Sequence, residues 1–162
     1  MRVVLILLTA LIISCGGNVE QAETAYKSDL KELIPLKGHD PYEEGVMTHP
    51  YLKHRLVKML GEGKYDTLVK VMYDCSPIGF NNDLLYWVGY GPDHPEKNSG
   101  AIIIDLVNDE IYIGYEYGDE IELFTDATAE RENPGRLASW LNRRSRIINL
   151  ADTVSQTTEN PD

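Results

Sequence analysis

The stretch LLYWVGYGPDHPEKNSGAIIIDLVNDEIYIGYEY, residues 84–117, contains three apolar runs and the turns between them. Residues 84–90 are almost continuously apolar, which is typical of a central strand. In residues 101–106 and residues 111–117, apolar side chains recur at every second position, which is the period of a β-strand. The stretch therefore predicts three consecutive strands.

Turn residues connect these strands to one another and to a fourth strand. Asn108-Asp109 predicts a hairpin between the second and third runs. Gly118-Asp119 predicts the next turn, which leads into a strand at residues 121–124. Together the four strands are predicted to form an antiparallel meander. Residues 74–83, which are rich in Pro, Gly and Asn, are predicted to form a loop before it.

Helical periodicity flanks the predicted sheet on both sides. Thr48 is a candidate N-cap, Pro50 fits a first turn and Gly61 fits a stop, so one helix is predicted between them. Asn133 and Pro134 mark the start of another in the same way. The apolar stripes are Leu52, Leu56, Met59 and Leu60 in the first helix, Tyr65, Leu68, Val69 and Met72 in the second, and Leu137, Trp140, Leu141 and Ile148 in the third. The prediction is an α+β fold in two layers, a four-stranded antiparallel sheet packed with about three helices.

The N-terminus has the pattern of a secretory signal. Met1-Arg2 supplies a short positive segment, and the apolar residues 3–13 that follow are too few to span a bilayer, which takes about 20. The run ends in Ile-Ile-Ser-Cys, residues 12–15, which resembles the bacterial lipobox. That resemblance implies cleavage before Cys15 and attachment of lipid to it. The alternative is an ordinary signal peptide that happens to contain a cysteine.

These features divide the chain into four predicted segments. They are a signal peptide (1–14), a lipidated tether with one short helix (15–41), an α+β domain (42–150) and a disordered tail (151–162). Gly16, rather than Asp, follows the cysteine. By resemblance to enteric sorting rules this favours the outer membrane. The predicted location is therefore the bacterial cell envelope, with a lipid anchor in the membrane.

The charge of the chain restricts its partners. Its 26 acidic and 15 basic side chains give a net charge of −11. Removal of residues 1–14 would take away Arg2 and no acidic residue, which makes the charge more negative. Such a charge disfavours binding to nucleic acid through the overall field and favours a basic protein partner.

The sequence gives little sign of catalysis. It contains no G-x-S-x-G, no phosphate-binding Gly-rich loop and no H-E-x-x-H, so no enzyme, cofactor or metal site is predicted. His49 and His54 are five positions apart on one helix and point to different faces. With Cys15 lipidated, Cys75 has no partner for an internal disulfide, and such a thiol is usually buried and inert. A nucleophile or an intermolecular bridge are the alternatives for Cys75.

The segment between the first two strands is the candidate functional site. Gly89 and Gly91 bend the backbone and two prolines restrict it, around two polar side chains. A stiff loop loses little entropy on binding, so a partner-binding loop is predicted here. Its residues are Tyr90, Pro92, Asp93, His94 and Pro95. The alternative is a surface loop whose prolines only end the strand.

The order of these pieces resembles the Ivy-like inhibitors of C-type lysozyme. The matching segments are LGEGKYDTLVKVM (60–72), LYWVGYGPDHP (85–95) and GAIIIDLVNDEIYIGY (100–115). The resemblance implies a helix-flanked antiparallel sheet and an inhibitory loop. It also implies a basic partner such as a C-type lysozyme.

The loop departs from the pattern of that family at defined positions. The family loop reads Gly-Cys-x-Pro-His-x-Cys, in which the cysteines are bridged and the His plugs the lysozyme active site. Gly89 and Pro92 match this pattern, whereas Tyr90 and Pro95 stand at the two Cys positions. Asp93 occupies the place of the His, and His94 follows it.

Three functions remain open from the sequence. The first is a protein-binding module of the envelope that inhibits lysozyme through the loop 90–95. The second is a structural or accessory lipoprotein, or an immunity factor against a cell-wall-attacking toxin, without activity on lysozyme. The third is a hydrolase that uses Cys75 or His94.

Overall fold

The computed structural model describes residues 30–128 and 132–144. Two 3-10 helices, Leu30–Leu36 and Val46–Thr48, precede two α-helices, α1 (Pro50–Leu60) and α2 (Glu62–Val71). The strands are β1 (Asp74–Cys75), β2 (Gly79–Asn81), β3 (Leu84–Tyr90), β4 (Asn98–Asp105), β5 (Glu110–Tyr117) and β6 (Glu120–Thr125). A further helix, α3, occupies residues 135–144. Within these ranges, no helix combines the length and the apolar character that a membrane span requires.

The predicted meander is the body of the sheet. Strands β3, β4, β5 and β6 are neighbours in that order, and each pair is antiparallel. The register places Trp87 opposite Ile102, and Ile102 opposite Ile113. A strand that is buried on both faces of the sheet needs apolar side chains on both. The continuous apolar run of β3 supplies them, as the sequence predicts.

The segment predicted as a loop before the meander contains two additional strands, so the sheet has six strands instead of four. β1 and β2 both pair with β3 on the side away from β4, with Asp74 opposite Tyr90 and Gly79 opposite Tyr86. They are two and three residues long. Strands this short do not show an alternating pattern, which is why the sequence reads as a loop.

Helices cover both faces of the sheet, so the fold has three layers instead of the predicted two. One core cluster joins α1, α2 and the 3-10 helices to one face, through residues such as Leu56, Leu68 and Ile102. A second cluster joins α3 to the opposite face, where Leu137 and Trp140 pack with the sheet. Strand side chains alternate between the faces, so each of β3, β4, β5 and β6 contributes to both clusters.

Most helix boundaries follow the predicted signals, with exceptions at two predicted caps. Pro50 begins α1, and Gly61 separates it from α2 with a left-handed φ of 75°. Thr48 does not cap α1, because it ends a 3-10 helix and its hydroxyl donates to the Gly45 carbonyl over 2.8 Å. The Pro134 carbonyl accepts the first hydrogen bonds of α3, so Pro134, and not Asn133, occupies its N-cap position. Ile148 lies outside the described residues.

The folded body begins earlier than predicted. Leu30 and Leu33, placed in the tether by the sequence, are each only 2% exposed and belong to the main core cluster. Gly38 and His39 exchange backbone hydrogen bonds with Ile78, at 2.8 and 2.9 Å. A seven-residue 3-10 helix with Pro35 in it has too little periodicity to reveal this packing. The segments 1–14, 15–29 and 151–162 lie outside the described residues, so their assignments stay predictions.

Candidate functional site

The segment between β3 and β4 is an exposed loop at one end of the sheet. Residues 92–97 are all exposed. The side chain of His94 is 76% exposed, and its backbone adopts a φ of +56°, which few residues other than Gly and Asn tolerate easily. The five predicted partner-binding residues, Tyr90, Pro92, Asp93, His94 and Pro95, are all exposed and lie together on this loop.

Backbone hydrogen bonds close the loop tightly. The Gly91 amide donates to the Asn98 carbonyl over 2.8 Å. The amides of Lys97 and Asn98 both donate to the His94 carbonyl, also over 2.8 Å. The side-chain amide of Asn98 donates to the Asp93 carbonyl, and its oxygen accepts the Gly118 amide over 3.1 Å. Asn98 therefore connects the loop to the neighbouring β5–β6 turn.

A buried ion pair supports the loop from beneath. Arg144 of α3 is 6% exposed and Glu116 of β5 is 2% exposed. The Arg144 Nε donates to Glu116 Oε2, and its Nη2 donates to the backbone carbonyl of Glu96 in the loop. Charge-assisted hydrogen bonds of this kind are stronger than neutral ones. One side chain therefore holds the sheet, α3 and the loop together.

Most of the charged side chains of the loop have a partner in the loop or in the neighbouring β5–β6 turn. His94 Nδ1 lies 3.1 Å from Glu96 Oε1, and Lys97 Nζ lies 2.8 Å from Asp119 Oδ1. A backbone amide hydrogen bond, followed by the contact with His94, lowers the pKa of Glu96. The hydrogen bond to Asp119 raises the pKa of Lys97. Within the described residues, no hydrogen bond or ion pair engages the Asp93 carboxylate.

The supporting residues were not predicted from the sequence. From its place among the acidic residues of 110–122, Glu116 is predicted to lie on a solvated face, and this prediction is wrong, because Glu116 pairs with Arg144 in the interior. Two spacings in the sequence could have indicated that Arg144 and Glu116 are buried. Arg144 lies seven positions after Leu137, on the buried stripe of α3. Glu116 lies two positions after Gly114, on the strand face that α3 covers.

Cys75 lies close to this end of the sheet but is poorly suited to act as a nucleophile. The residue is 9% exposed, and its thiol donates to the Met72 carbonyl over 3.2 Å. Burial, together with the nearby Asp40 and Asp74 carboxylates, raises the pKa of the Cys75 thiol to about 12. The reactive thiolate is therefore scarce at neutral pH. Among residues 30–128 and 132–144, no three His, Cys, Asp or Glu side chains are grouped so that they could hold a metal ion.

Comparisons with known proteins identify a family. Neither the curated proteins nor the solved structures contain a significant match to this chain. The family model described as "Inhibitor of vertebrate lysozyme (Ivy)" matches residues 51–146, which is more than half of the chain and includes all of α1 but its first residue, α2, the sheet, the loop and α3. The chain therefore belongs to the Ivy family.

Proposed function

We propose that this protein inhibits vertebrate lysozyme by placing the loop 90–95 in the active-site cleft of the enzyme. The observation that carries the proposal is the family match, whose span contains the loop. The geometry supports it, because a loop that reaches into a cleft must be exposed at its tip and fixed at its base. The exposed residues 92–95 and the buried Arg144–Glu116 support meet both requirements. The net charge of −11 also suits a basic partner.

The chemistry of the lysozyme site favours His94 as the inserted side chain. Lysozyme cleaves its substrate with two carboxyl groups. An imidazole can donate hydrogen bonds to a carboxyl group, whereas the carboxylate of Asp93 would be repelled by an ionised one. The left-handed backbone at His94 turns the chain at this residue, and its side chain is 76% exposed. Asp93 then lies at the rim of the contact.

Loss of both polar side chains of the loop should weaken the complex without affecting folding. For Asp93→Ala/His94→Ala we expect the affinity for a vertebrate lysozyme to fall by roughly 2 kcal/mol or more, about thirtyfold in the dissociation constant. The melting temperature should stay close to that of the wild type, because exposed polar positions rarely contribute more than about 0.5 kcal/mol. His94→Ala alone should account for most of the loss. Inhibition of cell-wall lysis and calorimetric titration measure the effect.

A matched control removes the same side-chain types from elsewhere. His54 on α1 and Asp66 on α2 are both exposed, so His54→Ala/Asp66→Ala should leave inhibition unchanged. A strongly reduced melting temperature with unchanged lysozyme affinity in the loop variant would show that the loop is structural. A wild-type chain that does not inhibit vertebrate lysozyme at all would favour an accessory or immunity role instead.

We further propose that the protein is a lipoprotein of the bacterial envelope, anchored in the outer membrane through Cys15. The lipobox-like segment 12–15 and the apolar segment before it support this location. An anchored inhibitor would intercept lysozyme before it reaches the cell wall. Several acyl chains give durable anchoring, because each buried CH₂ contributes about 0.8 kcal/mol.

The anchor predicts a defined mature N-terminus. Mass spectrometry of the protein from bacterial membranes should find residues 1–14 removed and Cys15 carrying lipid. Cys15→Ser should release the protein from the membrane fraction or stop its processing. An unmodified residue other than Cys15 at the mature N-terminus would rule out the lipid anchor, without affecting the proposed inhibition.

A further inference from the structure

Three exposed tyrosines line an open surface cavity beside the loop. Tyr42, Tyr73 and Tyr90 are 54%, 50% and 42% exposed, and we call them the tyrosine cluster. The rings of Tyr42 and Tyr73 are in edge contact, with centroids 5.1 Å apart. Tyr90 comes next to them because it lies opposite Asp74 in the pairing of β1 with β3. Exposed tyrosines in such a group are characteristic of protein interfaces, where Tyr is enriched among the strongest contacts.

The cavity that these tyrosines line is continuous with the proposed inhibitory loop. It has a volume of about 370 Å³, and Pro92 and Pro95 form its other wall. A ligand-binding cleft typically starts at about 300 Å³, so the space accepts one large side chain. A protein that contacts the tip of the loop would therefore also lie over this cavity.

Carboxylates give the cavity a negative charge. Asp40, Glu43 and Asp74 line it, and none of its lining residues is a lysine or arginine. The Asp40 carboxylate already accepts the amides of Tyr42 and Glu43, at 2.7 and 3.2 Å. Glu43 and Asp74 are exposed, and no side-chain partner for either occurs within the described residues. These two carboxylates are therefore available to a cation from outside.

We propose that the cavity binds an arginine or lysine side chain of the same basic lysozyme that the loop inhibits. The inference rests on the proposed function and adds a second contact to it. Tyrosine faces attract a cation through their ring electrons, and the two carboxylates neutralise it. The loop then occupies the cleft of the enzyme, while the cavity holds a basic side chain on the rim of that cleft. Two contacts fix the orientation of the partner, which one loop alone does not.

The experiment distinguishes binding of a basic side chain at the cavity from attraction of lysozyme by the overall charge of the protein. In the full chain, Glu43→Gln/Asp74→Asn removes two charges at the cavity and keeps the side-chain sizes. The control Glu62→Gln/Asp66→Asn removes two exposed charges from the N-terminal half of α2, whereas the C-terminal end of that helix is the one near the loop. A third variant, Tyr42→Ala/Tyr73→Ala, removes the ring surface. Binding of hen egg-white lysozyme is measured kinetically at low and at physiological salt.

We expect the two cavity variants to raise the dissociation constant at least tenfold, mainly through faster dissociation. The charges removed in the control should slow association by no more than about twofold to threefold. This effect on the association rate should shrink as salt is added, because it acts through the electrostatic field of the whole protein, which salt screens. Melting curves establish that each variant is folded. Sedimentation reports whether it self-associates.

The remaining outcomes each contradict the inference in a distinguishable way. Equal effects of the cavity pair and the control pair would mean that only the overall charge matters. Unchanged affinity of the cavity variants, with normal inhibition by the wild type, would overturn the second contact and leave the proposed function intact. A wild type that does not bind lysozyme would overturn both. Altered self-association without altered lysozyme affinity would assign the tyrosine cluster to a second copy of this chain.

Discussion

Replacing Trp140 with alanine is expected to lower the free energy of unfolding by about 3–5 kcal/mol, the usual cost of removing a large aromatic side chain from a core. Trp140 is 2% exposed and packs on the sheet face opposite α1 and α2. Its ring lies where a side chain at Gly114 would be, 2.7 Å from an ideal Cβ at that residue. Since small domains have about 5–15 kcal/mol of stability, the loss should be evident in a urea unfolding curve.

Two control variants test whether packing is the cause. Asn142→Ala changes an exposed position of the same helix and should alter stability by no more than about 0.5 kcal/mol. Trp140→Phe keeps most of the buried ring and removes an indole N–H that has no hydrogen-bond partner in the described structure, so it should retain much of the stability. An unfolding midpoint of Trp140→Ala equal to that of the wild type would mean that α3 does not cover the sheet.

The parts of the fold that the sequence predicts are those in which one pattern repeats over several residues. The alternation in residues 101–106 and 111–117 and the apolar run in 84–90 fix the meander, because a strand side chain repeats every second position. The strands β1 and β2 are too short to repeat anything. Leu30 and Leu33 also form too short a pattern, so only tertiary packing reveals that they belong to the core.

The third layer does not follow from the sequence, because the β5 residues beneath α3 are not obviously apolar. The face of β5 under α3 carries Tyr112, Gly114 and Glu116, which reads as the polar side of a half-exposed strand. Gly114 leaves space for Trp140, and Glu116 is neutralised by Arg144. Neither role is visible without the partner helix, whose Trp140 and Arg144 lie more than twenty positions further along the sequence.

The position of the candidate loop could be predicted from the sequence, but the contacts that hold it could not. Glycines and prolines around Asp93 and His94 indicate a stiff loop between strands, because each restricts or bends the backbone locally. The hydrogen bond from Arg144 to the Glu96 carbonyl depends on how α3 docks on the sheet. The two Cys positions of the family loop hold Tyr90 and Pro95 here, and the bonds of Asn98 and Arg144 constrain the loop instead.

Replacing Glu116 with alanine is expected to cost about 3–5 kcal/mol of unfolding free energy, because it leaves the Arg144 guanidinium buried without its counter-charge. The side chains of the pair are 7% and 3% exposed, so water cannot substitute for the carboxylate. Lys64→Ala is the matched control, since it breaks an ion pair with Glu122 at 2.5 Å whose side chains are 46% and 33% exposed. The control should lose far less stability, because solvent screens an exposed pair. Chemical unfolding of both variants measures the difference.

Replacing both members of the buried pair separates the stability of the fold from the positioning of the loop. In Glu116→Met/Arg144→Met neither charge of the pair is left buried, and apolar replacements of a buried ion pair are often neutral or stabilising, so most of the lost stability should return. The Arg144 replacement also removes the hydrogen-bond donor to the Glu96 carbonyl, so the loop loses the contact that fixes it to α3. We therefore expect the double variant to fold nearly as stably as the wild type but to inhibit vertebrate lysozyme at least tenfold less strongly, because an unfixed loop loses more entropy on binding. If affinity returned together with stability, Arg144 would serve the fold alone, and the loop would owe its geometry to Asn98 and its own backbone hydrogen bonds.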